Sequence, residues 1–96
     1  MKKRMVVVTT GEGRKGVFFG ELVSSDIEKE LVELKDAQMC VYWPPKTHGV
    51  LGLAGIGPQE GSRVTPTIPN INLNGVTAIM DTTPEAVEKW REMTWS

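Results

Sequence analysis

The stretch TTGEGRKGVFFG, residues 9–20, constrains the fold most, because Gly11, Gly13 and Gly16 spell G-x-G-x-x-G. In dinucleotide-binding domains this pattern follows a strand, opens a helix and cradles a pyrophosphate. The preceding MVVVT is short and β-branched, which predicts the strand. The following VFFGELV is also β-rich and has a glycine in its middle, which favours a second strand with a bulge or bend there. The pattern therefore predicts a β-hairpin whose loop is GEGRKG.

Length and charge restrict the class of protein. The chain has 96 residues, which suits a single domain, residues 1–96. Its formal net charge of −1 provides no basic face, so we expect neither DNA nor RNA as a partner. No run approaches the ~20 apolar residues of a membrane span. The charged start MKKRM lacks the apolar core of a signal peptide, so we expect a cytoplasmic protein with no membrane partner.

Turn and proline signals divide the central part of the chain. IEKELVELK, residues 27–35, fits a helix or a strand, and the turn residues on both sides favour a strand. AQMCVYW, residues 37–43, predicts a further strand that ends at Pro44 and Pro45.

The glycine-rich segment 46–62 leaves two alternatives open. It contains either a short helix over residues 48–54, capped by Thr47, or a glycine-studded strand. Pro66 and Pro69 confine the strand that follows to the edge of a sheet.

The C-terminal part predicts a helix. Thr83 suits its N-cap and Pro84 its first position. Val87 and Trp90 lie on one apolar face, which is first a packing face. A partner-binding role comes second for this face, so Trp90 is also a candidate oligomer or partner contact. Trp95 is another such candidate: because a solvated tryptophan is unfavourable, we expect it to pack on the body of the protein or on a neighbouring subunit.

Asn74 and Gly75 predict a tight turn between strands that need not pair with each other, and residues 76–80 form the strand after it. Together these elements predict an α+β, mostly β fold. We expect a small SH3-like barrel or a strongly bent antiparallel sheet, with a short middle helix and a C-terminal helix.

Residues with chemical potential are few. Cys40 is the single cysteine and lies in an apolar run, where a free thiol usually packs as a small hydrophobe. His48 is the single histidine, so a thiol–imidazole pair has weak support and the sequence contains no Cys-based zinc pattern. We therefore expect no catalytic residue, no metal and no cofactor.

A polar and aromatic cluster is the candidate ligand site. Its members are Tyr42, Trp43, Lys46, His48, Arg63 and Thr65. If the sheet brings them together, they form a ledge with stacking faces and anion donors, which suits a nucleotide-like ligand. In the alternative, the two aromatic residues pack at the edge of the core and Arg63 is a surface charge.

GVFFGELVSSD…VELKDAQ, residues 16–38, resembles the opening of a small SH3-like or Sm-like barrel, in which the second strand bends at a glycine. The Met-Asn of the Sm motif is absent after Asp26, so the uridine-binding residues of Sm proteins have no counterpart. This resemblance implies a fold but not RNA binding.

A second resemblance covers most of the chain. GVFFGEL, LKDAQMCVYW, GVLGLA, RVTP, LNGVTAI and TTPEAVEKW…WS are similar to small domains encoded by bacteriophages and prophages. That family has no assigned biochemical function and no recognised catalytic residues. The resemblance implies a phage origin and a location in the cytoplasm of a bacterial host.

Small phage accessory proteins often bind something of the host, which is an argument from class and not from residues. We accordingly expect a non-enzymatic, homo-oligomeric binding protein. It would counteract host defence by sequestering a nucleotide-like signal or by binding a host protein. The alternative is a structural or assembly accessory of the phage particle, with Trp95 and the edge from Pro66 to Pro69 as contact surfaces.

Overall fold

The computed structural model describes residues 3–11 and 16–93. Within them 49% of residues form strands and 22% form helices, which confirms the mostly β prediction. The strands are β1 (Met5–Thr10), β2 (Gly16–Asp26), β3 (Leu31–Tyr42), β4 (Arg63–Val64), β5 (Ile68–Leu73) and β6 (Val76–Asp81). The helices are α1 (Gly49–Gly55), which follows a 3-10 turn at Pro45–Thr47, and α2 (Pro84–Glu92).

The strands form one antiparallel sheet in the order β6–β1–β2–β3. The far edge of β3 has two partners, since its first half pairs with β5 and its last residues pair with β4. Within the described chain, β5 pairs with β3 alone, which confirms the edge position predicted for the strand that contains Pro69.

β5 and β6 lie at opposite edges of the sheet, although only Asn74 and Gly75 separate them in sequence. Two residues span at most ~7 Å when extended, so the sheet must curl to bring its edges together. Gly75 adopts a φ of 67°, which agrees with the predicted tight turn. In the described residues the two edges do not pair, so the sheet remains open and a closed SH3-like barrel is not confirmed.

The glycine motif lies in a hairpin, as predicted. Thr10 pairs with Gly16, and β2 rather than a helix follows the loop. The loop residues 12–15, and with them Gly13, lie outside the described residues. A Cβ on Gly16 would come within 2.5 Å of the Phe18 ring, so this glycine permits a close approach.

Of the bulge or bend predicted at Gly20, the structure shows a bulge, with its extra residue on the neighbouring strand. Between Phe19 and Glu21 the register with β3 shifts, and Asp36 adopts a φ of 51°. A Cβ on Gly20 would lie 3.0 Å from the carbonyl oxygen of Lys35. Glycine is therefore the residue that lets β2 pass the bulge.

The strand predicted over residues 27–35 begins later than expected. Residues 27–30 form a turn in which the Asp26 carboxylate accepts a hydrogen bond from the Lys29 amide at 3.2 Å. From Leu31 onward the chain is one strand that includes the predicted strand 37–43, because the bulge at Asp36 shifts the register without ending the pairing.

Of the two alternatives for the glycine-rich segment, the structure shows the helix, α1. Its N-cap is His48, with a φ of 64°, and not the predicted Thr47. The Thr47 hydroxyl is buried and makes no hydrogen bond in the described chain. In α2 the predicted cap is confirmed, because Thr83 Oγ1 accepts from the Ala86 amide at 3.1 Å.

Hydrophobic residues fill both faces of the curled sheet. On one face, α1 and α2 cover a cluster that includes Val7, Phe19, Leu53 and Trp90. The other face packs against itself, and its cluster is Val6, Val8, Val32, Leu34, Ala37 and Leu73. β1 is buried on both faces, because Val7 belongs to the helix-covered cluster and Val6 and Val8 belong to the cluster on the other face.

Trp90 is a core residue, so the structure shows the packing role that was predicted first for its helix face, and the side chain is not exposed to a partner. Its side chain is fully buried, its ring stacks on Phe19 at a centroid distance of 4.9 Å, and its Nε1 donates to the Leu53 carbonyl at 3.0 Å. Trp95 lies outside the described residues. No helix in those residues is long and apolar enough to cross a membrane.

Candidate functional site

A cleft of about 680 Å³ lies at the end of the β1–β2 hairpin, and we call it the hairpin cleft. The ends of β1 and β3 line it together with the starts of β2, β6 and α1. Its lining includes Thr9, Cys40, Trp43, Val50 and Thr77.

The walls of the hairpin cleft are mainly apolar and aromatic. Trp43 directly follows β3, is half-buried, and packs with Val50 of α1 against the helix-covered core. Met39 and Val41 of β3 also contribute to the lining. An aromatic ring held by a packed core offers a rigid surface for a planar ligand.

Three threonines line the hairpin cleft, Thr9, Thr10 and Thr77, and two of them contact each other. Thr9 pairs with Ala78 whereas Thr10 pairs with Val76, so Thr77 is the extra residue of a bulge. Bulges redirect side chains, and here the Oγ1 atoms of Thr77 and Thr9 lie 2.7 Å apart. Thr77 Oγ1 also donates to the Thr9 carbonyl at 3.2 Å.

Cys40 contributes a neutral thiol to the wall. Its Sγ donates to the Tyr42 carbonyl at 3.3 Å. Burial raises the pKa of the Cys40 thiol to about 11, against the smaller opposing effect of that hydrogen bond. Among the described residues that line the cleft, none has a charged side chain.

Residues 3–90 match the profile of a family described as Domain of unknown function (DUF6948). The chain belongs to the DUF6948 family. The match spans all six strands and every described residue of the hairpin cleft. Searches of curated proteins and of solved structures found no match to the chain. The family match does not test the predicted phage origin, which stays a prediction.

The DUF6948 domain separates the six residues predicted to form one ledge. Of these, Trp43 lines the hairpin cleft. Tyr42 pairs with Arg63 across β3 and β4, and both are exposed outside the cleft lining. Lys46 and His48 are exposed on the 3-10 turn and at the N-cap of α1, and neither lines the cleft.

Thr65 has a structural role. Its Oγ1 accepts from the Met39 amide at 2.9 Å, and its own amide donates to the Met39 carbonyl at 2.9 Å. These bonds continue the pairing of β3 beyond β4. Thr65 also lines a separate apolar groove of about 410 Å³ beside β5, with Phe18, Pro66 and Ile68.

Thr9 and Thr77 were not recognised from the sequence as site residues. They lie 68 positions apart, and a bulge in β6 brings them together. The only local signals are the TTG before the hairpin loop and the GVT after Asn74, and neither specifies the pairing.

Metal chemistry has no candidate set in residues 3–11 and 16–93. No three His, Cys, Asp or Glu side chains in those ranges come together as potential ligands.

Proposed function

We propose that this DUF6948 domain is a non-enzymatic binding module that holds the planar part of a nucleotide-like small molecule in the hairpin cleft. The observation that carries this proposal is a cleft of about 680 Å³ with Trp43 in an otherwise mainly apolar wall. Small-molecule sites typically measure roughly 300–1,000 Å³ and combine apolar walls with a few polar groups. Stacking of a base on an aromatic side chain contributes about 1–3 kcal/mol.

The chemistry of the lining favours binding over catalysis. General acid–base catalysis needs a group that titrates near the working pH, and covalent catalysis needs an activated nucleophile. The Cys40 thiol has its pKa raised to about 11 by burial, so it is protonated at neutral pH. His48, the single histidine, lies outside the lining.

The biological setting of the proposal is the one that the phage resemblance implies. In the cytoplasm of a bacterial host, a homo-oligomer with one hairpin cleft per chain would counteract defence by sequestering a nucleotide-like signal. Sequestration requires only affinity and abundance, and it needs no catalytic group.

Native mass spectrometry tests the proposal. The protein is purified gently from bacteria and then titrated with a panel of mono- and dinucleotides. We expect added mass equal to one nucleotide-like molecule per chain, in a defined assembly. A protein that carries no added mass after purification and gains none from any nucleotide contradicts the proposal.

The apolar groove beside β5 favours a second candidate, a structural or assembly accessory of a phage particle. Ile68 on this edge strand is 46% exposed, and Pro66 precedes it in the same groove. An apolar groove along an edge strand suits a protein partner. Co-purification with particles, lost in an Ile68→Asp variant, supports this candidate, and absence from particles counts against it.

A further inference from the structure

We infer that the hairpin cleft selects an uncharged heteroaromatic ring that bears an amino group over the same ring without it. This inference rests on the proposed function, because it concerns the ligand of the same cleft. Its basis is the direction of the hydrogen bonds between Thr9 and Thr77.

Each threonine hydroxyl has one proton to donate and two lone pairs to accept with. Thr77 Oγ1 donates its proton to the Thr9 carbonyl at 3.2 Å. In the 2.7 Å contact between the two hydroxyls, Thr77 must then accept and Thr9 must donate. Both hydroxyl protons are therefore used within the protein.

The hydroxyls of Thr9 and Thr77 can therefore offer a ligand only lone pairs. Thr9 Oγ1 keeps two and Thr77 Oγ1 keeps one, and all of them accept hydrogen bonds. Cys40, a further polar side chain of the lining, has likewise committed its proton, to the Tyr42 carbonyl. A ligand N–H satisfies the threonine pair, whereas a ligand carbonyl or phosphate oxygen would place one acceptor against another.

The backbone holds the pair in this orientation without a ligand. Thr77 is the extra residue of the bulge against β1. Its methyl group packs on Gly11, where a Cβ would lie 3.0 Å from Thr77 Cγ2. The Gly11 amide donates to the Gly75 carbonyl at 3.0 Å, which ties the end of β1 to the turn before β6. A preformed set of acceptors binds without an ordering cost.

The remaining lining specifies the rest of the ligand. Trp43 and Val50 bound a space that suits a flat ring. The described lining has no charged side chain that would require a charged partner. Uncharged nucleosides are therefore sufficient probes, and no phosphate is needed to test the cleft.

Matched pairs of nucleosides test the inference by isothermal titration calorimetry. The pairs are adenosine with purine riboside, guanosine with inosine, and cytidine with pyrimidin-2-one riboside. Within each pair the second molecule lacks one amino group. Because Thr77 is exposed, we expect the modest effect of one neutral hydrogen bond, about 3- to 10-fold tighter binding of the amino member of at least one pair.

Equal affinities within every pair, or tighter binding of the members that lack the amino group, would overturn this inference and leave the proposed function intact. Absence of binding by all six nucleosides would overturn the proposed function, and the inference with it.

A Thr77→Val variant tests whether the Thr9 hydroxyl donates its proton to the Thr77 hydroxyl. Valine keeps the shape but removes the acceptor, so the Thr9 proton becomes available to the ligand. We expect the amino preference to disappear or reverse while a nucleoside still binds. Thr67→Val, which alters an exposed threonine in the separate groove, is the matched control and keeps the preference. Full discrimination by a folded Thr77→Val protein would overturn the assignment.

Discussion

Cys40 illustrates how burial determines the chemistry of a single side chain. The thiol is 2% exposed and packs beside Val7 and Leu53 in the helix-covered core. Burial disfavours the thiolate, and the pKa of the group rises from an ordinary 9.0 to about 11. The Cys40 thiol consequently adds no charge at neutral pH to the part of the cleft wall that the structure describes.

This raised pKa predicts a pH dependence of stability. The folded protein holds the Cys40 proton more tightly than the unfolded chain does, so the contribution is fully present below pH 9 and is lost as the pH rises to about 11. At ~1.4 kcal/mol per pKa unit, the loss is at most about 3 kcal/mol. Urea unfolding across this range should show a steeper decline for the wild type than for Cys40→Ala. Parallel declines in the two proteins would contradict the assignment.

Trp90 contacts both the sheet and the other helix within the helix-covered core. It joins α2 to β2 through its stack on Phe19 and to α1 through its bond to the Leu53 carbonyl. The Arg91 guanidinium lies 4.8 Å from the centre of the same Phe19 ring. The Trp90 indole thus connects both helices to the sheet.

Truncation of Trp90 should therefore be severe. Trp90→Ala is expected to lower the free energy of unfolding by about 3–5 kcal/mol, through lost burial and a cavity. Tyr42→Ala, at a position that is 51% exposed, should cost less than about 1 kcal/mol. Chemical denaturation measures both variants. A loss below 1 kcal/mol for Trp90→Ala would mean that this tryptophan is not a core residue.

Among the elements, the β1–β2 hairpin and α2 could be predicted from sequence because their signals are local. The glycines lie between two β-rich runs, and Thr83 lies directly before Pro84. β3 was predicted as two strands because no local signal shows that pairing with β2 continues past the bulge at Asp36. The short segment after Lys46 stayed ambiguous since glycine is compatible with both alternatives.

The same substitution should have opposite effects in two elements. Gly20→Ala places a Cβ 3.0 Å from the Lys35 carbonyl oxygen in the bulge, and we expect a loss of about 1–3 kcal/mol. Gly55→Ala meets nothing within 4 Å at the end of α1, and we expect a gain of about 0.4–1 kcal/mol. Thermal unfolding of both variants checks this. A stabilised Gly20→Ala protein would contradict the account of the bulge.

In the whole molecule, each face of the single sheet contributes to one hydrophobic cluster. The hairpin cleft lies at the end of the sheet where β1 and β2 form their hairpin. The curl that joins β5 to β6 through Asn74 and Gly75 also brings β6 beside β1, and with it Thr77 beside Thr9. Of the candidate site, the sequence could predict Trp43, because an aromatic residue ends a strand before Pro44. The threonine pair depends on the full topology, and local patterns do not reveal it.

Amide chemical-shift mapping by NMR shows whether the hairpin cleft binds a planar ring. The isotopically labelled protein is titrated with adenosine, guanosine, cytidine and uridine. We predict shifts at Thr9, Trp43 and Val50, with Asn72 on β5 unchanged. The shifts should disappear in Trp43→Ala and persist in Tyr42→Ala, with both spectra showing a folded protein. No shifts with any nucleoside, or shifts confined to the groove beside β5, would contradict binding of a planar ring in the hairpin cleft.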